Sequence, residues 1–403
     1  MRRSAQPVQP VQPVQPVQLD RRIQVGAAHV TLAVRSGESS WSELNARLAG
    51  LAVERFLVVT DGTAPAGHLA RVRALAAAQA PTTLHDLRDG PLPGTPAPPG
   101  GAVSAPTAVS VAAVTAATAV IAVGGEHACA VPADVRVPTD LAAACGPALV
   151  LRRPAPAAAL TWVRADQLAA GSAARTRAGL VAVVRHVLAV CPSHHRTLAR
   201  LLGPEARHDA RTVTALLALC ADARAALVCF DPDETGPALA LGYGRSLAIA
   251  VRSAAGPALA PGDADALGLL LAADVAARLG LADRATGWAH RELLARNGSA
   301  ATLPRGVDVE RLVTAVVEAA RPGLLLLADL GRPYCADGRL LTPVDRTVLR
   351  AAVGGLVGRP AVPHSRAVTP TRPSTRDAAL ETAPVSAHEP ASTPSPTPQP
   401  EPA

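Results

Sequence analysis

A chain of 403 residues with 49% hydrophobic side chains can fill two cores, but aromatics make up only 2%, so those cores must be built from Ala, Val and Leu. The net charge is +7 and all 39 basic residues are Arg; they are scattered, with almost no aromatic side chains between them, which argues against nucleic-acid binding. Six cysteines (Cys129, Cys145, Cys191, Cys220, Cys229, Cys335) form no CxxC pair and follow no signal peptide, predicting reduced, mostly buried thiols in a cytoplasmic protein.

From Gln6 to Gln18 a three-residue QPV repeat sets an extended arm that cannot join a core. Gln24 to Val34 alternates as a strand, Trp41 to Ala52 reads as an amphipathic helix, and Arg55 to Thr60 as a short apolar strand ending at the Asp61-Gly62 turn. Gly67 to Ala80 is helical, and this alternation is how a parallel, doubly wound sheet is written. After a Pro- and Gly-rich loop, the strand Thr118 to Val123 leads into Gly124 and Gly125. The charge-free run from Gly100 to Gly125 is long enough to span a membrane, but Ala and Thr transfer weakly and Pro106 suits a soluble segment better.

Beyond about Leu149 helical periods dominate: Arg175 to Val190, His195 to Leu202, Asp209 to Ala226, Ala264 to Leu279, Thr286 to Arg296 and Val309 to Ala320, with Asp209 and Thr286 as N-caps. The predicted organisation is an arm over 1–19, an α/β domain over 20–152, an all-α domain over 153–357 and a Pro-, Ser- and Thr-rich tail over 358–403, with a cleft between the two domains. Both ends read as disordered, and unconstrained tails are preferred to PxxP ligands.

Several stretches carry a resemblance. RFLVVTDGTAPAGHLARVRAL from Arg55 looks like the strand, Asp-containing turn and helix that open the nucleotide-binding half of the sugar phosphate cyclases, the family of 3-dehydroquinate synthase and 2-deoxy-scyllo-inosose synthase. AVIAVGGEHACA resembles that family's strand and GGG loop, with Glu126 in the third place, and VPTDLAAACGPALVLRR its VPTTLLAQxDSxxGxK. RTRAGLVAVVRHVLAVCP resembles RxGLxExxKxxLxxxP, and ALALGYGRSLAIAVRSAAGPALAPGDADALGL resembles YGHTxGHAxE followed by HGExxALG. HRELLARNGSAATLPRGVDVERL and LADLGRPYCADGRLLTPV are similar to the C-terminal region of 2-deoxy-scyllo-inosose synthases. The resemblance covers roughly residues 50–350, through order and spacing rather than any intact motif.

It implies a Rossmann-like NAD-binding domain and an all-α metal and substrate domain, with Asp61, Gly124, Gly125 and Thr139 on the dinucleotide. Arg152, Arg185 and Arg321 fall at or beside lysines of the family and imply contacts to an anionic sugar phosphate. The three metal ligands, one Glu and two His, fall on Ala182, Arg245 and Pro261, none of which can ligate Zn or Co. The expectation is therefore a degenerate member, with no catalytic residue and no metal ligand, acting as a partner or regulatory subunit in aminocyclitol biosynthesis. The implied partners are a second copy or an active paralogue. A working NAD-dependent, phosphate-eliminating cyclase with a rearranged site is the second reading, and a decaying gene product the third.

Two clusters outside these motifs have metal-like spacing. Cys191, His194 and His195, with His186 one turn earlier, read better as a helix C-terminus whose imidazoles meet the last carbonyls. His127 with Cys129 is equally thin, and His290 reads as a solvated helix position.

Overall fold

The first strand run is broken by Gly26, which adopts φ +60° in a two-residue turn where Val25 pairs with Ala28. The predicted strand over Gln24 to Val34 is therefore a hairpin of β1 (Gln18–Val25) and β2 (Ala28–Arg35). It also shortens the predicted arm, since Gln18 and Leu19 belong to β1. In this computed structural model the described residues are 16–89, 118–150, 158–203, 205, 207–260 and 262–357. The rest of the arm, the tail over 358–403 and the predicted domain boundary at 152 lie outside them.

β3 (Arg55–Thr60), β4 (Thr82–Asp86), β5 (Thr118–Gly124), β6 (Val135–Pro138) and β7 (Ala158–Arg164) complete a seven-stranded sheet in the order β1-β2-β7-β6-β5-β3-β4. All pairings are parallel except the hairpin. Helices α1 (Ser40–Ala49), α2 (Ala66–Ala77), α3 (Glu126–Cys129) and α4 (Leu141–Cys145) lie between the strands. The chain runs outward from β3 to β4 and then returns to the other side of β3 as β5. That reversal is the point where parallel α/β sheets open a crevice at the carboxyl ends of their strands.

After β7 the chain is mostly helical: α5 (Ala165–Ala169), α6 (Ala173–Ala189), α7 (His195–Leu201), α8 (Ala210–Val228), α9 (Arg245–Ala255), α10 (Asp263–Arg278), α11 (Arg284–Arg296), α12 (Val309–Ala319) and α13 (Arg346–Leu356). Asp209 caps α8 by accepting from the Thr212 amide at 2.7 Å. Thr286, expected as a cap, is instead the amide donor, and Asp283 caps α11 at 2.8 Å. Two short ladders, β8 (Leu324–Leu325) with β11 (Leu341–Thr342) and β9 (Leu327–Asp329) with β10 (Arg332–Pro333), make the second half not purely helical.

Alternation along the strands divides the burial between two faces. Val30, Leu32 and Val34 of β2 and Val163 of β7 join a large Leu-, Val- and Ala-rich core with α6, α8, α10 and α12. Ala33, Phe56, Val58, Ile121 and Trp162 face α1 and α2 on the other side, where the rings of Trp162 and Trp41 meet tilted by 41° with centroids 4.9 Å apart. One sheet face is covered by the helical half, and the two share this large core. Gly268 marks how closely α10 crosses α9: a Cβ there would lie 2.5 Å from the Gly244 carbonyl oxygen and 2.7 Å from the Ala248 amide. Three cysteines are buried and Cys191 half-buried, but Cys229 and Cys335 are exposed, contrary to the expectation for the last two.

Candidate functional site

The crevice at the sheet reversal is built from the ends of β3, β5 and β6. Apolar runs carry each strand to a sharp stop, and the stopping residues are Asp61, Gly124-Gly125 and Thr139. The structure brings these four expected residues together: the Thr139 amide donates to the Gly124 carbonyl at 2.9 Å, and the Asp61 carboxylate reaches across to the glycine turn. Asp61 accepts from the Gly125 amide at 3.2 Å and the Ala128 amide at 3.1 Å, and from the amide and hydroxyl of Thr63 at 3.1 and 2.6 Å. Four donors outweigh the desolvation that opposes them, so the Asp61 carboxyl titrates below its ordinary value.

The turn has room for nothing larger than glycine. A Cβ on Gly124 would meet Asp61 Oδ1 at 2.4 Å, and one on Gly125 would meet Asp140 Oδ2 and Thr63 Oγ1, both at 2.9 Å. The helix after the turn, α3, has only four residues. Two further carboxylates flank it. Asp140 caps α4 through the Ala143 amide at 2.8 Å, and Glu126 is exposed at the start of α3. Desolvation raises both, Asp61 adding repulsion on Asp140, and Asp265 and Asp140 adding it on Glu126.

The arginines expected to meet phosphate are placed differently. Arg185 donates to Asp265 Oδ1 at 2.6 Å while Arg252 donates to Asp265 Oδ2 at 2.8 Å, so one carboxylate from α10 ties α6 to α9. Arg321 is exposed, and Arg152 lies outside the described residues. Neither Asp140 nor Asp265 was singled out from sequence. Asp140 carried a signal, since an Asp opening a short Ala-rich run is an N-cap pattern; the Asp265 bridge, 80 residues from Arg185, carried none.

At the expected metal positions Ala182 is half-buried against the main core and Arg245 is exposed at the start of α9, while Pro261 lies outside the described residues. The Cys and His cluster does not converge. His186 Nδ1 is bonded to the Ala182 carbonyl at 2.7 Å, the Cys191 thiol donates to the His186 carbonyl at 3.3 Å, and His195 turns to Glu292 at 3.8 Å. Among the described residues no three His, Cys, Asp or Glu side chains are arranged to hold a metal ion. His127 is exposed while Cys129 is buried, its thiol held at 3.6 Å from the Gly124 carbonyl.

His290 departs from expectation. It is fully buried: Nδ1–H donates to the Thr286 carbonyl at 2.7 Å, leaving Nε2 to accept from the Tyr243 hydroxyl at 3.0 Å. Burial lowers its pKa to about 4. A base lowered on folding stays neutral while the unfolded chain, near 6.5, takes up the proton, so stability is intact above about pH 6.5 and falls as pH drops toward 4. We expect His290→Gln to remove roughly 3 kcal/mol of that acid-induced loss. The check is urea unfolding at pH 7 and at pH 4.5; equal losses in wild type and variant would refute it.

Comparison with known proteins agrees with this architecture. Residues 179–319 match the family model described as 3-dehydroquinate synthase C-terminal. The chain is 35% identical over 204 residues to 2-deoxy-scyllo-inosose synthase of Streptomyces lividus, covering 48% of this chain and 53% of that one. It is 31% identical over 205 residues to the Micromonospora echinospora enzyme, covering 48% and 51%. Over about half its length the chain is similar to 2-deoxy-scyllo-inosose synthases. It spans about half the length of the curated relatives it matches.

The fold is similar to a crystal structure of 2-deoxy-scyllo-inosose synthase complexed with carbaglucose-6-phosphate, NAD+ and Co2+, with a TM-score of 0.69 at 17% identity over 84% of this chain and 100% of that one. It is also similar to 2-epi-5-epi-valiolone synthase from Streptomyces hygroscopicus subsp. jinggangensis 5008 with NAD+ and Zn2+ bound, with a TM-score of 0.57 at 17% identity over 81% and 96%. The parallel-sheet α/β half and the helical half thus share the fold of these two structures. Among the described residues no helix is long and apolar enough to cross a membrane.

Proposed function

We propose that this chain keeps the cyclase fold without the cyclase chemistry, and serves as a partner or regulatory subunit of an active cyclase. One observation carries the reading: the carboxylate of Asp61 is seated on the Gly125 and Ala128 amides. Glycine turns at this crevice bind dinucleotides because free amides and a helix N-terminus face a pyrophosphate. Here those amides already hold an anion of the chain's own, the following helix has four residues, and Glu126 and Asp140 add negative charge beside them. The residues present do not fit NAD.

They do not fit a divalent ion either. Ala182 offers no donor, Arg245 brings a permanent positive charge, and a proline at 261 has no side-chain ligand atom. Arg185, the nearest candidate for a phosphate, is already bonded to Asp265. No catalytic step is therefore assigned to this chain. The role that remains for a well-packed core without its ligands is one exercised through the surface.

The test is made on the purified full chain. Elemental analysis is expected to find no stoichiometric Zn or Co, and glucose 6-phosphate with added NAD and Co2+ is expected to stay unconverted. Light scattering of the chain co-purified with an active paralogue is expected to show a mixed complex. About one tightly held ion per chain together with turnover would sink the reading in favour of a rearranged but working site. A chain that remains monomeric alone and beside the paralogue would sink the subunit role.

A further inference from the structure

We infer that the pocket at the start of α9 binds a small organic anion, a monocarboxylate carried on an apolar body of about six carbons. The pocket measures about 210 Å³, and Leu239, Leu247, Ile249, Leu324, Leu325 and Leu341 are the large apolar residues that line it. Arg245 and Ser246 are the polar side chains on it, and no acidic side chain lines it among the described residues.

Arg245 is the feature that sets the ligand's charge. The arginines nearest it in the helical core are paired: Arg185 and Arg252 share Asp265. Both oxygens of Asp265 are occupied in this way, which removes the carboxylate that α10 presents toward α9. Arg245 has no side-chain hydrogen bond or ion pair with another described residue, although its guanidinium cannot shed its charge. A cation left free on an apolar-walled cavity selects a ligand with one anionic end and a greasy remainder. A carboxylate matches the guanidinium in a bidentate pair, and the leucines take the chain.

The size of the cavity limits the ligand. It is smaller than the roughly 300–1,000 Å³ of pockets for drug-sized molecules, which disfavours a sugar phosphate carrying a full set of hydroxyls among leucines. Gly242 lines the same cavity, and a Cβ built on it meets nothing within 4 Å, so this is a position where a larger side chain can fill the space without straining the fold. The inference rests on the reading of Arg245 as a residue that holds no metal.

The experiment is calorimetric titration of the full chain with hexanoate, with 1-hexanol and inorganic phosphate as controls. Hexanoate is expected to saturate at or below the millimolar range, with both controls at least about tenfold weaker, the size of a charge-assisted hydrogen bond. Arg245→Gln is expected to weaken hexanoate by about tenfold or more, and Gly242→Leu to abolish binding while leaving the circular dichroism of the protein unchanged. If Arg245→Gln fails to fold, the Gly242→Leu variant decides alone. No hexanoate binding to folded wild type, undiminished binding in either variant, or phosphate binding as well as hexanoate each overturns the inference. Wild type that holds an ion and binds no hexanoate defeats the pseudoenzyme reading as well; wild type that holds none and binds none defeats this inference only.

Discussion

Asp61→Asn is expected to lower stability at pH 7 by about 2–4 kcal/mol, because a carboxamide cannot accept all four of the hydrogen bonds that Asp61 receives and turns a donor toward at least one amide. The sign of its pH dependence follows from the lowered pKa of Asp61. A carboxyl depressed on folding contributes its full stabilisation above the unfolded value of about 3.9 and loses it as pH falls through the lower folded value. Wild type should therefore weaken below about pH 4 by a component that Asp61→Asn lacks. Asp140 and Glu126 run the other way: raised on folding, their ionised forms oppose the fold, and that opposition is relieved as pH falls through their raised values. Urea unfolding of both proteins from pH 7 to pH 3 separates these contributions. A variant as stable as wild type at pH 7 would show that the amides find water equally well and that the seat on the glycine turn is incidental.

The second large effect concerns the metal positions. Ala182→Glu, Arg245→His and Pro261→His together place one carboxylate and two imidazoles where the cyclase pattern carries them, and a set of that composition can bind Zn. Zinc content is expected to rise from none to about one per chain. Turnover of glucose 6-phosphate is expected to stay at zero, because groups that act as a unit are not recovered one at a time, and Asp61 still fills the glycine turn while Asp265 still holds Arg185. Circular dichroism controls for the loss of a proline, a residue whose ring fixes φ. A triple variant that cyclises substrate would contradict the view that the whole crevice has changed.

What was legible in the chain depended on how local the signal was. β3 matched its expected limits because RFLVVT is an apolar run closed by a polar turn, and α6, α8, α10 and α12 announced themselves by period, α8 by its Asp209 cap as well. β4, β6 and β7 were missed: TTLHD alternates weakly, VRVP is four residues ending in proline, and AALTWVR fell in the stretch read as all-helical although it pairs with β2 and β6 inside the sheet, so pairing makes them strands rather than their own propensity. His290 was placed in solvent because HRELLAR is largely polar. Yet Thr286, His290, Leu293 and Leu294 share one stripe of α11, and that stripe is the buried one. At the site, the meeting of Asp61 with Gly124, Gly125 and Thr139 followed from motif order. That Asp61 faces inward onto an amide 64 residues away, and that Asp265 joins Arg185 to Arg252, are products of sheet order and helix crossing, which spacing along the chain does not encode.

The account turns on whether the glycine turn is free to take a dinucleotide. Calorimetric titration of the purified full-length chain with NAD asks this directly. With the Gly125 and Ala128 amides held by Asp61 and with Glu126 and Asp140 beside them, no saturable heat is expected up to millimolar NAD. Binding at micromolar concentration or tighter would contradict the account, since it would require Asp61 to leave the turn at little cost and the crevice to accept a pyrophosphate among its carboxylates.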